Sequence, residues 1–302
     1  MTKDRIYVDI HALQTIPPSC VNRDDTGSPK TAIYGGVRRA RVSSQSWKKA
    51  IRDDFAGRLP KEELGIRTKR IVSVVAEELA KNPDIEDPES AAVKLLEAAQ
   101  LKIKSPEKGT DALFFISRAQ VAALADLAKE RPEVLLDNPD KESKNLAKEA
   151  LTQSPSIDIA LFGRMVANDP SLNTDACAQV AHAISTHAIV NEFDYFTAVD
   201  DLSPEDSAGA AHIGTVEFNA PTLYRYATVA LHELKKYLVE DTTNALLLFL
   251  EAFVRSMPTG KQNTFANRTL PSALLVTVRY DQPVNLVGAF EKPVPGTDKG
   301  YV

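Results

Sequence analysis

A chain of 302 residues with 43% hydrophobic residues, 25% charged residues and a net charge of −5 has an ordinary globular composition. No run approaches the roughly 18 apolar residues of a membrane span, and the start MTKDRIYVDI carries no signal-peptide pattern. No membrane partner is therefore expected, and the expected location is cytoplasmic. Two cysteines without CxxC spacing and five scattered histidines argue against a disulfide framework and a zinc site, so no cofactor is expected.

In chain order, Ile6, Val8 and Ile10 alternate as in a half-buried strand over residues 5–13. Gln14 to Asp25 is loop, marked by Pro17-Pro18 and by Asn22-Arg23-Asp24-Asp25. The run from Lys30 to Arg52, KTAIYGGVRRARVSSQSWKKAIR, then carries seven cations and no carboxylate. On an acidic chain such a concentration is the footprint of a polyanion-binding surface, against the plainer reading of a solvated helix face. Gly35-Gly36 forms a turn, an Arg-rich extended run follows, and Ser43-Ser44 starts a helix to about Phe55. Gln45, Lys48, Lys49 and Arg52 share an arc of about 100° on that helix, opposite Trp47, Ala50 and Ile51.

Residues 56–153 turn helical, with helices expected over Arg67–Lys81, Asp87–Lys102, Ser117–Lys129 and Asp140–Leu151. Leu113–Ile116 fits a short strand or part of a helix. Residues 156–165 form a short element of open type, and Val180, His182, Ile184 and Thr186 alternate as a strand. Asn191 to Pro221 has the pattern of a protruding two-stranded arm with a loose tip. A strand over Leu223–Ala230, a helix over 231–257 broken near Asp241, a turn-rich loop over 258–264, a strand over Leu274–Tyr280 and a short helix over Pro283–Phe290 complete the chain. With insertion and arm set aside, the order is βαββαβ, an α+β ferredoxin-like pattern.

Longer motifs carry a family resemblance. The run SCVNRDD followed by AIYGGVRRARVSSQSWKKAIR resembles the CRISPR RNA-binding backbone subunit of type I-E Cascade, the CasC family of the RAMP superfamily. In the same order come DIALFGRM (158–165), AHAISTH (181–187), DYFTAVDDL (194–202), IGTVEF (213–218), LYRYATV (223–229) and GKQNTFA (260–266). The resemblance implies an RRM-like palm from residues 1–55, 154–190 and 222–302, a helical fingers insertion at 56–153 and a β-hairpin thumb at 191–221. The family usually continues past its AFEK motif, here Ala289–Lys292, so the last palm element is expected to be truncated. It further implies a non-catalytic subunit that polymerises along the CRISPR guide RNA. Each thumb presses on the RNA of its neighbour, and the guide stays available for pairing with a target DNA strand. Implied partners are the guide RNA, the target strand, other copies of the chain and other Cascade subunits.

The resemblance places Ser43, Gln45, Lys48, Lys49 and Arg52 on RNA phosphates, and the chemistry of a basic helix start agrees. Arg23 and Lys30, in the preceding loop, are expected at nucleic acid. Tyr195, Phe196 and Thr197 match the wedge of the thumb, where aromatics stack on bases; packing onto the next subunit is the rival. Arg164 and Met165 match a pocket beside the displaced nucleotide, with core packing an equal reading for Met165. Lys261 and Gln262 are candidate phosphate contacts, although the loop lacks P-loop spacing. Asp24-Asp25 and Asp200-Asp201 invite a second reading, a metal-dependent endoribonuclease of the same superfamily. Turn and loop capping is the reading preferred for both pairs.

Overall fold

The computed structural model describes residues 5–166, 169–198 and 212–296. Strand β1 (Tyr7–Thr15) is an interior strand of the main sheet, next to its edge, and is buried on both faces. Ile10 and Ala12 enter the main apolar core, while Asp9 and His11 point to the other face. There Asp9 accepts from the Tyr226 hydroxyl at 3.0 Å and the Val284 amide at 2.9 Å, so its buried charge is solvated by protein.

The Arg-rich run is a hairpin of β2 (Thr31–Tyr34) and β3 (Val37–Val42), paired antiparallel with Tyr34 opposite Val37. Gly35 and Gly36 make its two-residue turn at φ of +59° and +78°, the pair of positive angles a type I′ turn requires. Helix α1 (Ser44–Ala56) follows, capped by the Ser43 hydroxyl on the Ser46 amide at 3.3 Å, and buries Trp47, Ala50, Ile51 and Phe55.

A strand takes the first two residues, Arg67 and Thr68, of the helix expected over Arg67–Lys81. Residues Gly65–Thr68 form β4, because Arg67 and Thr68 pair with Phe115 and Phe114 of β5 (Phe114–Ser117). A distant strand partner overrides the local helical pattern, and the helix α2 (Ile71–Leu79) begins only after it. Helix α3 (Pro88–Ala98) starts on an Asp87 cap with Pro88 in its first turn. Helix α4 (Arg118–Glu130) carries a capping box between Ser117 and Gln120, and α5 (Lys141–Thr152) is capped by Asp140. These helices share a core of their own that includes Ile71, Val75, Leu95, Leu96, Leu124 and Leu151.

Helix α6 (Ile157–Phe162) returns the chain to the sheet. The strand expected over 180–186 is two short pieces, β6 (Ala178–Val180) and β7 (Ala183–Ser185), both paired with β10 (Thr222–Ala230). Between β7 and β10 the chain leaves the sheet as a separate hairpin, β8 (Glu192–Ala198) against β9 (His212–Phe218). Helices α7 (Leu231–Leu238) and α8 (Thr242–Arg255) follow, split at Val239–Asp241 as the sequence suggests. A short α9 (Gln262–Phe265) occupies the expected loop, and β11 (Ala273–Arg279) closes the sheet.

The sheet order is β11-β1-β10-β7-β3-β2, with β6 also on β10. Taking β1, α1, β6/β7, β10, α8 and β11 as the basic pattern, its strands stand in the spatial order fourth, first, third, second, every neighbour antiparallel. That is the α+β ferredoxin-like arrangement. Trp47 and Phe55 of α1 and Phe249 and Phe253 of α8 pack on one face of it.

Candidate nucleic-acid interface

The structure divides the basic arc of α1 into two flanks. Gln45 is exposed at the crest. Lys48 and Arg52 turn toward the helical unit. Arg52 donates from Nε to Asp158 Oδ2 at 3.1 Å, and its guanidinium lies 4.5 Å from the centroid of the Phe115 ring. Arg67, from β4, lies 4.9 Å from the same centroid. Burial, reinforced by the charge of Arg67, holds the Lys48 amine below its ordinary range.

Lys49 turns to the other flank and pairs with Asp53 one turn on. It lines a cleft of about 1060 Å³ between α1, the loop at 21–27 and the loop at 256–260. Four cations, Arg23, Lys49, Arg58 and Arg268, and four carboxylates, Asp24, Asp25, Asp53 and Asp54, line that cleft together. Its charge is balanced. Arg58 is already held by Asp54 and by Glu251, at 2.6 and 2.8 Å.

The loop before α1 is tied to it. The Asn22 side chain accepts from the Ser43 amide at 2.9 Å, and the Lys30 amide donates to the Asn22 carbonyl at 2.8 Å. Arg23 is exposed and Lys30 half-buried beside this joint. Ser43 is itself buried, with its hydroxyl spent on the helix cap. Among the neighbouring arginines, Arg39 belongs to the interior: it is 0% exposed and donates to the carbonyls of Tyr34, Ser185, Phe290 and Glu291.

Arg164 requires a correction. It is buried, and its guanidinium donates to the carbonyls of Leu172, Phe115 and Leu151 and to Gln120 Oε1, at 2.7–3.2 Å. These bonds use four of its five N–H groups, and the buried side chain staples α4, α5 and β5 together instead of facing a nucleotide pocket. Met165 next to it is 82% exposed, which removes the core-packing reading.

The β8–β9 hairpin exposes Phe193 and Tyr195 on one face, at 60% and 74%. Phe196 lies on the other face, across Gly214 of β9. A Cβ at position 214 would stand 2.2 Å from Phe196 Cζ, so the glycine is what lets the ring lie flat on the strand. Thr197 is exposed beside it. The hairpin base is fixed by Asn191 donating to Glu217 and accepting from Asn219, at 2.6 and 3.1 Å. Phe218 packs on Phe265 of α9, which brings half-buried Lys261 and exposed Gln262 to the same end of the molecule.

Asp24 caps its own loop: Oδ1 accepts from the Thr26 hydroxyl and amide and from the Ser28 amide at 2.7–3.0 Å. The Thr26 hydroxyl, above all, holds its carboxyl below the usual range. Asp25 is exposed, and Asp200-Asp201 lie outside the described residues. Among the described residues no three His, Cys, Asp or Glu side chains converge to hold a metal ion. No helix among them is long and apolar enough to cross a membrane. Sequence reasoning missed Arg67, which it placed in the first turn of a helix. Its position beside Arg52 depends on the pairing of β4 with β5, and nothing local signals it.

The profile of the CT1975-like protein family matches residues 8–302. The chain belongs to this family. Among solved structures it is similar to a chain of a "CRISPR RNA-guided surveillance complex, pre-nicking", at 36% identity and a TM-score of 0.82, over 97% of this chain and 83% of that one. A chain of a second "CRISPR RNA-guided surveillance complex" is 31% identical with a TM-score of 0.59, over 97% of this chain and 76% of the other. No curated protein sequence matches.

Proposed function

We propose that this chain is the guide-RNA-binding backbone subunit of a type I-E Cascade surveillance complex, the CasC family of the RAMP superfamily. Copies of it stack head to tail along a CRISPR guide RNA, a heterologous assembly that does not close on itself. The guide is held by its phosphates and left free to pair with target DNA. The palm, fingers and thumb of this reading are the sheet layer, the helical unit and the β8–β9 hairpin. Lys48 and Arg52 hold backbone phosphates, Met165 lies beside the displaced nucleotide, and Tyr195 and Phe196 wedge into the RNA of the neighbouring copy. The observation that carries the reading is one combination in one chain. A cation-rich flank of α1 and an aromatic hairpin standing off the sheet occur together in a fold similar, at 36% identity, to a chain of an RNA-guided surveillance complex.

The subunit is read as non-catalytic and cytoplasmic. Asp24 supports the first point, because its Oδ1 is engaged by Thr26 and Ser28. The test is co-expression with a CRISPR transcript, followed by mass measurement of the purified particle and sizing of its RNA. RNA of uniform length bound to several copies of the chain is expected; RNA-free monomer would overturn the reading. Incubating the particle with Mg²⁺ checks the absence of catalysis. Cleavage of the bound RNA that is lost in Asp24→Ala or Asp25→Ala would make the chain a nuclease.

A further inference from the structure

The junction between α1 and the helical unit gathers more positive charge than its acceptors neutralise. Lys48 and Arg52 stand one turn apart on α1, and Arg67 comes from β4. Arg52 and Arg67 share the ring of Phe115. The carboxylate beside them, Asp158, is fully used. One oxygen accepts from Arg52 and the other from the Gly65 amide and the Ser156 hydroxyl, at 2.9 and 2.6 Å. Among the described residues no carboxylate forms an ion pair with Lys48 or Arg67. Arg67 is exposed above a ring that is itself buried. The ring attracts a cation to its face and leaves the N–H groups of the guanidinium edge pointing outward.

Such a group of cations is held together against its own repulsion by the packing of Phe115 and by Asp158. A guanidinium at this place offers a planar fork to phosphate oxygens, and Lys48 offers a point charge. We propose that Arg67 is a phosphate-binding residue that completes, with Lys48 and Arg52, a three-cation site for a phosphodiester of single-stranded RNA. Helix α1 of the sheet layer and strand β4 of the helical unit then grip the same backbone, so bound RNA also fixes these two layers against each other. Burial first, and the charge of Arg67 second, lower the pKa of Lys48. The inference rests on the RNA-binding reading above and extends it to a residue outside the basic run.

The test uses the full chain and a fluorescein-labelled RNA of guide length. Anisotropy is measured across a KCl series for wild type, Lys48→Ala, Arg67→Gln and Arg67→Lys, with thermal unfolding of each. Arg67→Gln is expected to weaken binding about tenfold, the loss of one charge-assisted contact. It should lower the slope of log K against log salt by about 0.7, one phosphate of a single strand. Arg67→Lys should keep the slope and recover part of the affinity. Unchanged affinity and slope in Arg67→Gln, with Lys48→Ala impaired, would overturn the role of Arg67 alone. No RNA binding by wild type, or no effect of either substitution, would overturn the RNA reading itself. If Arg67→Gln and Arg67→Lys lose binding and thermal stability alike, Arg67 is a packing partner of Phe115 and the proposal fails.

Discussion

Interior arginines and the cations along α1 carry the same charge and meet opposite surroundings. Arg164 spends its guanidinium on four acceptors, three of them backbone carbonyls. Arg225 is sandwiched between the rings of Trp47 and Phe253, at 3.7 and 4.3 Å, and donates to Gln14 and to the Phe253 carbonyl. Burial pushes Arg164 down to about 10 and Arg225 down to about 9, so both remain charged at neutral pH. At the flank of α1, no hydrogen bond or ion pair joins Lys48 or Arg67 to an acceptor among the described residues, and Arg67 lies over the Phe115 ring. The interior arginines meet several protein acceptors, although Arg225 Nε is buried without one, whereas the flank cations meet fewer. A cation with few hydrogen-bond acceptors in the protein keeps donors for a ligand; one whose donors are mostly engaged by interior acceptors holds the fold.

The largest effect that separates the two classes is on stability. Arg164→Ala strands the carbonyls of Leu172, Phe115 and Leu151 inside the protein and should cost about 3–5 kcal/mol, read as a shift of the urea midpoint. Lys48→Ala should stay within about 0.5 kcal/mol of wild type in the same measurement. A loss under about 1 kcal/mol for Arg164→Ala would show that its network is dispensable and would blur the comparison.

A smaller effect comes from putting a charge into the interior where acceptors are missing. His187 is buried; Nε2 accepts from the Thr222 amide at 3.1 Å and Nδ1 donates to the Ala188 carbonyl at 2.9 Å. Protonation would set Nε2–H against an N–H. Burial first, and then the charge of Arg39, lower its pKa, against the hydrogen bond to Ala188. A folded value below the unfolded one means that the stability is complete above the ordinary histidine range and is lost as the pH falls through the folded value. The loss is at most about 1.4 kcal/mol per pH unit for one histidine. Urea midpoints at pH 7.5, 6 and 5 should show this decline, and His187→Gln should flatten it. An equal decline in the variant would assign it to His11 or His182, whose pKa values burial also lowers.

What was legible follows the range of the forces involved. The alternation in β1, the helix start at Ser43, the helix expected from Ser117 and the hairpin around Tyr195 are local patterns, and they survive in the structure. β4 was hidden because its partner, Phe114–Ser117, lies far along the chain. Arg38 and Arg39 are adjacent and chemically identical, yet one is exposed and the other fully buried; the carbonyls that decide it come from Ser185, Phe290 and Glu291. The same supply of distant carbonyls turned Arg164 inward. Lys49 is different, since its partner Asp53 stands one residue beyond the basic run, at the i+4 spacing of an ion pair.

That pairing yields the smallest predicted effect and the one with a distinctive sign. Lys49 faces a cleft whose four cations are matched by four carboxylates, so an RNA phosphate approaching there meets little net field. Lys49→Ala should therefore weaken RNA binding less than Lys48→Ala and change the salt slope less. Asp53→Asn removes the carboxylate that occupies Lys49 and leaves the amine free. It should raise RNA affinity and steepen the salt dependence, the reverse of every cation deletion. If Lys49→Ala matched Lys48→Ala and Asp53→Asn changed nothing, Lys49 would already be leaving Asp53 for phosphate in the complex. The two flanks of α1 would then act as one surface, with the RNA spanning the helix from the cleft to Phe115.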